Sequence, residues 1–385
     1  MMKKLLATSC LLLPLTAFAA ESEEPAGPDT RIAQKAVFTY AGIVRHSYRE
    51  SLDLTRKMDA AVDAFLAAPG EDTLQAAKDA WTAARVVYGQ TETYRFYDGP
   101  IDGPEGPEGQ INAWPMDEAY VDYVEGDPNA GIINNTTLYP KLDTDLIVGL
   151  NEEGGEANIA TGYHAVEFLL WGQDLSADGP GNRSFKDYVV GSDAPNVERR
   201  RRYLAMVSDL LVEDLASVAR QWAPVRGEYG RSFVSAPAIE SLAKMWTGVV
   251  FMAADELSSE RMFVAYDTRD QEDEHSCFSD TTHNDIVANA QGVLNVYYGT
   301  WGEFDGTGLH EVLMAVDAEL AGRIDAQLQV AMAAVRAVPQ PFDRVLSADE
   351  GSIERILLIS AITELQAAGS LLQEGAAAMG ITINL

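Results

Sequence analysis

The chain has 385 residues and a large excess of acidic side chains, with 59 Asp and Glu against 28 Lys and Arg and a formal net charge of −31. This charge disfavours binding to nucleic acid or to an anionic membrane surface, because both depend on basic patches. The apolar fraction of 47% and the charged fraction of 23% are ordinary for a globular protein. The composition therefore excludes a disordered chain, and the length predicts more than one domain.

The N-terminus has the organisation of a secretory signal peptide over residues 1–19. Two lysines precede an apolar run, and residues 17–19 form a small-x-small cleavage pattern. The run is too short to span a membrane, and we expect no later segment to reach the roughly 20 apolar residues of a spanning helix. We therefore predict an exported chain cleaved after Ala19. The alternative is a lipoprotein signal ending at Cys10, which would leave the three leucines that follow it outside the bilayer.

Apolar residues recur with helical rather than strand spacing along most of the chain. They step by three and four residues through 74–88, 204–222 and 239–257, and again after residue 353. This spacing places each set on one face of a helix. Asp72, Ser235 and Ser347 are the expected N-terminal caps of three of these helices. The pattern predicts an all-α protein.

Two of the predicted helices resemble each other, which indicates an internal duplication. Residues 74–96 and 239–262 each carry a Trp-Thr pair, beginning at Trp81 and Trp246, and an amphipathic helix precedes each segment. Two related helical bundles would account for this pattern, and a chance recurrence of the pair is the alternative.

The repeat predicts two helical-bundle domains, over residues 28–195 and 196–385, with the boundary in a loop-rich stretch at 174–197. The first domain contains an irregular excursion over residues 98–161, where Gly-Pro pairs and further prolines prevent long helices. A long excursion of this kind more often serves a site than not.

The first candidate functional residues, His164 and Glu167, follow this excursion and precede an apolar run. Three residues apart on a helix, they project from the same face. There they either share a metal ion, or the carboxylate simply orients the imidazole ring. A structural polar pair at a helix start is the alternative. The zinc-peptidase pattern His-Glu-x-x-His is absent from the chain, as are the nucleophile-elbow, P-loop and dinucleotide glycine motifs.

A second cluster, residues 270–285, combines six acidic residues with His275, His283 and Cys277. Its carboxylates and imidazoles suit iron, zinc or manganese, and a solvated acidic turn is the alternative. Burying this cluster and the first pair separately would leave charges uncompensated, at a cost of several kcal/mol each. We therefore expect His164 or Glu167 to lie within one metal-bridged span, roughly 4–5 Å, of a side chain of the second cluster.

At these residues the chain resembles the imelysin family, in its iron-regulated protein A branch. The pattern Gly162-x-His164-x-x-Glu167 is similar to the Gly-x-His-x-x-Glu signature of that family. Residues 272–286 are similar to the second block of the branch, and residues 90–96 and 112–118 match two further segments. The segment 98–109 departs from the family by being richer in glycine and proline, so no role is assigned to Asp102.

The resemblance implies two helical-bundle domains, export to the periplasm or the outer membrane, and a part in bacterial iron uptake. It also implies a metal site near the domain interface, for iron or, alternatively, zinc. The partners it implies are iron or an iron chelate and a membrane protein of an iron-uptake system. The predicted metal ligands are His164, Glu167, His275, His283, Glu92, Glu274 and Asp280.

Three classes of function compete. The favoured one is an exported metal-binding protein of iron acquisition. The second is a metallopeptidase with His164 and a histidine of the second cluster as ligands and Glu167 as the general base on a metal-bound water. The third is a non-catalytic interaction module in which these residues are structural. We expect no endopeptidase activity, because the zinc-peptidase spacing is missing and a bundle offers no strand edge to align an extended peptide.

Overall fold

The computed structural model describes residues 28–176 and 179–385, and the predicted signal peptide lies outside them. Nearly all regular elements of the described chain are helices, and its strands are limited to one short pair, which confirms the predicted all-α class. Its α-helices are α1 (Thr30–Ala67), α2 (Glu71–Gly89), α3 (Glu108–Asn112), α4 (Glu118–Val121), α5 (Gly131–Asn134), α6 (Thr144–Leu150), α7 (Gly162–Trp171), α8 (Val197–Gln221), α9 (Glu228–Ser235), α10 (Ala238–Phe251), α11 (Val264–Thr268), α12 (Thr282–Tyr298), α13 (Leu309–Met314), α14 (Ala318–Arg336), α15 (Asp343–Ser347) and α16 (Ile353–Ala378). The other elements are three 3₁₀ turns (Glu92–Tyr94, Phe185–Tyr188 and Gln271–Asp273), a π-helix (Met252–Phe263) and an antiparallel pair of strands, β1 (Thr300–Trp301) and β2 (Phe304–Asp305).

The core forms because each long helix buries one apolar face. In α2 the predicted stripe of Leu74, Ala77, Trp81, Ala84 and Tyr88 is fully buried, and it packs this helix against the 38-residue α1. Helix α1 also packs against α8 and α10, so it contacts helices from both halves of the sequence.

Two groups of helices meet where α1 packs against α10 and α2 packs against α12. The first group contains α1, α2, α7 and α8, and the second contains α10, the π-helix, α12, α14 and α16. Helix α8 falls in the second half of the predicted division, yet it packs against α1 and α7 of the first. Both Trp81 and Trp246 are buried, and the Thr82 and Thr247 hydroxyls each donate to the carbonyl four residues earlier. The domain division and the duplication stay predictions.

The predicted helix caps are wrong by a few residues. Asp72 is the second residue of α2, whereas Ser235 and Ser347 are the last residues of the short helices α9 and α15. The cap positions of α2, α10 and α16 are Gly70, Pro237 and Ser352.

The excursion at residues 98–161 contains only the short helices α3 to α6, as predicted. Asp102 closes a turn within it by accepting hydrogen bonds from the backbone N–H groups of Phe96 and Gly99. At the end of the excursion Gly162 has φ +81°, and a Cβ there would lie 2.5 Å from the carbonyl oxygen of Ile111. Glycine therefore lets the start of α7 approach α3 closely.

Helix α16 is long and apolar enough to cross a membrane by length and composition, contrary to the expectation from the sequence. In the fold it packs against α10, the π-helix and α14. Its leucines 358, 365 and 372 are buried. These contacts are those of a core helix.

Candidate metal centre

The two sequence clusters meet at one buried place, although they are more than a hundred residues apart in the chain. The ring centroids of His164 and His275 are 5.1 Å apart. Glu167 Oε1 accepts hydrogen bonds from the backbone N–H of Ser279 at 2.9 Å and from its hydroxyl at 2.7 Å. The predicted proximity of the clusters is confirmed at these residues, while their role as ligands stays a prediction.

His164 has one nitrogen occupied and one without a partner. Its Nδ1 lies 3.0 Å from Glu167 Oε2, whereas its Nε2 is buried and has no hydrogen-bond partner in the described part of the chain. Burial, and then the nearby Arg85, hold the pKa of His164 well below its ordinary value. The ring is therefore neutral. An imidazole fixed by a carboxylate at Nδ1 and open at Nε2 is a recurring arrangement of metal-binding histidines.

Glu167 is fully buried and all of its hydrogen-bonding capacity is directed at protein groups. Burial raises its pKa to about 8, although the Ser279 hydroxyl acts in the opposite direction. At neutral pH the side chain therefore carries a proton. Since Oε1 already accepts two hydrogen bonds, this proton lies on Oε2 and is donated to Nδ1 of His164, which leaves the ring proton on Nε2. When Glu167 loses its proton, the ring proton lies on Nδ1 and is donated to the carboxylate, and Nε2 becomes free to bind a metal.

His275 is held from three sides. Its Nδ1 lies 3.3 Å from Asp285 Oδ2, and its ring packs edge-on to Trp114 with centroids 5.5 Å apart. Arg85 Nη2 lies 3.2 and 3.1 Å from the two ring nitrogens. Burial, followed by the charges of Arg261 and Arg85, keeps the pKa of His275 well below its ordinary value. This ring is neutral too, with a guanidinium at its edge.

Glu92 lies next to this pair but has no free oxygen. Its Oε2 accepts from Arg261 at 2.6 Å and from Asn112 at 2.8 Å, and its Oε1 accepts from Asn289 at 3.1 Å. Burial alone would raise its pKa, but Arg261 and Arg85 hold it at about 2. Glu92 is therefore an ionised anchor of a buried network, and it offers no open ligand position.

The remaining predicted ligands lie away from His164. No hydrogen bond or ring contact joins His283 to His164, Glu167 or His275 within the described ranges, and its Nδ1 is without a partner. Glu274 and Asp280 interact with Asp343 instead. The predicted single ligand set is thus divided, because residues 274–281 form a turn whose side chains face different parts of the protein, and His283 lies in the first turn of α12.

Sequence reasoning missed Arg85, Asn112 and Arg261, which form the charged frame of the site. Arg85 donates to Asp285 at 3.1 Å and also bonds to the Asn112 side-chain carbonyl. The sequence did contain one indication that Arg85 has a buried partner. Arg85 directly follows Ala84, a residue of the buried apolar face of α2. A charged residue is almost never fully buried unless it is paired.

A cavity of about 390 Å³ leads from the surface to His275. Its rim is rich in acidic side chains, which attract cations, and Arg95 and Arg261 line it as well. The acidic lining residues are Glu108, Glu152, Glu156, Glu256 and Glu260. The cavity is large enough for an ion with a small chelator.

Comparisons with known proteins agree on one family. A family model described as imelysin matches residues 44–368. Iron-regulated protein A of Synechococcus elongatus is 25% identical over 315 residues, which cover 80% of this chain and 76% of that protein.

Two solved structures are similar in fold. The crystal structure of an iron-regulated protein A precursor from Parabacteroides distasonis has a TM-score of 0.71 at 18% identity, over 92% of this chain and 96% of that one. That of an imelysin-like protein from Psychrobacter arcticum has a TM-score of 0.65 at 13% identity, over 94% of this chain and 100% of that one.

Proposed function

The chain belongs to the imelysin family, and from this premise we propose that it is an exported protein that binds iron through His164 and His275. The observation that carries the proposal is the buried Nε2 of His164, which has no partner among the residues that the structure describes and belongs to a ring 5.1 Å from that of His275. An iron-related role is also supported by the relative named iron-regulated protein A. The signal-like N-terminus supports export to the periplasm, with or without association with the outer membrane.

The donor set suits iron, with zinc as the alternative. Both rings are neutral, and each has a carboxyl group at Nδ1, Glu167 for His164 and Asp285 for His275. Imidazole nitrogens combined with oxygen ligands suit iron and zinc. His164 and His275 would hold the metal, while the two carboxylates would orient the rings.

The charge around the pair favours a chelated metal over a bare ion. Arg85 lies at the edge of His275, where a bare cation would be repelled but an anionic chelator would gain a charge-assisted hydrogen bond. Bound iron would supply a strong positive centre for the chelator's oxygen atoms. The cavity that leads to His275 has room for such a ligand. Delivery to a membrane partner of an iron-uptake system would follow from this role.

The geometry does not favour a peptidase. A general base must be free to take a proton from water, yet Glu167 is fully buried and bonded to His164 and Ser279. Metal-dependent cleavage of insulin by the purified protein, abolished by Glu167→Ala, would reverse this conclusion.

The proposal is tested by metal titration of the mature protein after removal of bound metal. Iron(III) citrate, anaerobic iron(II) and zinc(II) are each titrated by equilibrium dialysis with metal analysis. We expect about one equivalent of iron to bind, and His164→Ala to weaken this binding by about 100-fold or more because it removes a ligand directly. His310→Ala is the matched control, since His310 bonds to Glu311 and Asp325 elsewhere. Equal iron affinity in His164→Ala and the unmodified protein would refute the proposal.

A further inference from the structure

A group of four carboxylates lies on the far side of the turn at residues 274–280. Asp174 follows α7, Glu274 and Asp280 flank the turn before α12, and Asp343 begins α15. One carboxylate oxygen from each of Asp174, Asp280 and Asp343 lies within 4.8 Å of the others. Glu274 interacts with Asp343 and Asp280, so it belongs to the same group.

This group is not a solvated acidic patch. The exposed fractions are 0% for Glu274, 4% for Asp343 and 7% for Asp280. Within residues 28–176 and 179–385, four of the group's oxygens are buried without a hydrogen-bond partner: both carboxylate oxygens of Glu274, Oδ1 of Asp280 and Oδ2 of Asp343. A buried polar atom without a partner costs free energy, so a group of such atoms facing each other indicates a missing positive charge.

The protein itself supplies little compensation. Asp174 accepts from the Gln271 side chain and from the backbone N–H of Ser176. Across the described residues no salt bridge joins Lys or Arg to any of the four carboxylates. The carboxylates therefore face one another without a cationic partner in the part of the chain that the structure describes.

We propose that Asp174, Glu274, Asp280 and Asp343 form a second metal site that binds a hard divalent cation of the calcium class. Every ligand is an oxygen, which suits calcium, manganese or magnesium. The three aspartate oxygens, all within 4.8 Å of one another, are close enough for one ion to bridge. Ca²⁺ takes six to eight oxygen ligands and accepts several carboxylates, whereas Mg²⁺ is usually held by one or two carboxylates and keeps several waters, so four carboxylates favour the calcium class. This site shares no ligand with the iron site proposed at His164.

A cation here would join three segments of the chain. It would tie the loop after α7 to the turn before α12 and to the start of α15. Asp280 directly follows Ser279, whose N–H and hydroxyl hold Glu167. Binding would therefore also fix the turn that supports the histidine pair.

The site is tested by thermal unfolding of the chelator-treated mature protein at pH 7, with and without millimolar Ca²⁺. We expect Ca²⁺ to raise Tm by about 3 °C, because a ligand that binds only the folded state stabilises it. Terbium(III) gives a second readout. Trp114 donates to the main-chain carbonyl of Glu274 at 2.9 Å and should sensitise terbium luminescence, which Ca²⁺ should quench by competition.

The decisive variant is Asp343→Asn, which removes one charge without changing the shape of the side chain. We expect it to lose the Ca²⁺-dependent shift and, without Ca²⁺, to have a Tm at least as high as the unmodified protein. Asp174→Asn, at the half-buried edge, should also lose the shift and decides the matter if Asp343→Asn fails to fold. The exposed Glu319→Gln is the matched control and should keep the shift.

The outcomes separate this site from the iron site. His164→Ala should keep the Ca²⁺ response, and Asp343→Asn should keep iron binding. The proposal is overturned if Ca²⁺ leaves the Tm of the unmodified protein unchanged. It is also overturned if Asp343→Asn and Asp174→Asn both keep the full shift.

Discussion

The substitution Glu167→Gln tests how the protonation of one buried carboxyl group contributes to the pH dependence of stability. Glu167 links His164 to Ser279, and burial raises its pKa from the ordinary 4.5 to about 8. Between these values the folded protein holds a proton that the unfolded chain has released. The stability that Glu167 contributes is therefore greatest below about pH 4.5, falls as the pH rises to about 8, and then stays constant.

The change in the free energy of unfolding follows from the difference between the pKa of Glu167 in the folded protein and its ordinary pKa. At 1.36 kcal/mol for each pH unit, the interval from 4.5 to about 8 corresponds to about 5 kcal/mol. Gln has nearly the same shape, and its amide can donate to Nδ1 of His164 while its oxygen accepts from Ser279. Because Gln does not titrate, Glu167→Gln should become more stable relative to the unmodified protein by about this amount between pH 4.5 and pH 8.5.

Urea unfolding in the presence of a chelator, at pH 5, 7 and 8.5, measures this difference. Other titrating groups are common to both proteins, so they cancel when the two free energies of unfolding are subtracted. Glu319→Gln, at an exposed position, should show no such trend. A difference for Glu167→Gln that does not change with pH would mean that Glu167 is already ionised, and the reasoning would fail.

Three further predictions concern the frame of the site. Gly162→Ala should lower the free energy of unfolding by about 3 kcal/mol or more, because Gly162 has φ +81° and a Cβ there would lie 2.5 Å from a backbone carbonyl oxygen. Gly149→Ala is the control, because a Cβ at Gly149 meets open space. A Tm of Gly162→Ala no lower than that of the control would contradict this. Glu92→Gln should cost about 3–5 kcal/mol in urea unfolding, because it leaves Arg261 with one fewer buried partner; a cost below 1 kcal/mol would contradict it. Iron affinity should rise from pH 6 to pH 8. Loss of the Glu167 proton lets the His164 ring hold its proton on Nδ1, so that Nε2 becomes available to the metal. A constant affinity for iron(III) citrate in isothermal titration would contradict this.

The helices were predictable because buried apolar residues recur every three or four positions along them. The stripe from Leu74 to Tyr88 is buried throughout, as the spacing requires. The stripe that begins at Ile239 is less regular, since Ile239 is 40% exposed and the helix widens into a π-helix at Met252. The hydrophobic pattern contains no signal for that change in backbone hydrogen bonding.

The candidate site was predictable only in part. His164 and Glu167 stand out as a pair at helical spacing. His275 stands out because the chain has only five histidines and two of these, His275 and His283, lie in one acidic segment. The position of Asp280 depends instead on its left-handed backbone, with φ +56°, which turns the chain between Ser279 and α12. A local pattern does not reveal which way such a turn directs its side chains, so one ligand set was predicted where the structure has two groups.

The most direct test of the iron site is anomalous X-ray diffraction at the iron edge, from crystals of the mature protein grown with iron(III) citrate. A peak about 2.0–2.2 Å from Nε2 of His164 and from a ring nitrogen of His275 is the predicted result. Density for the chelator should lie beside Arg85, in the cavity that leads to His275. An iron peak confined to the carboxylates around Asp343, or no ordered iron beside His164, would contradict the account.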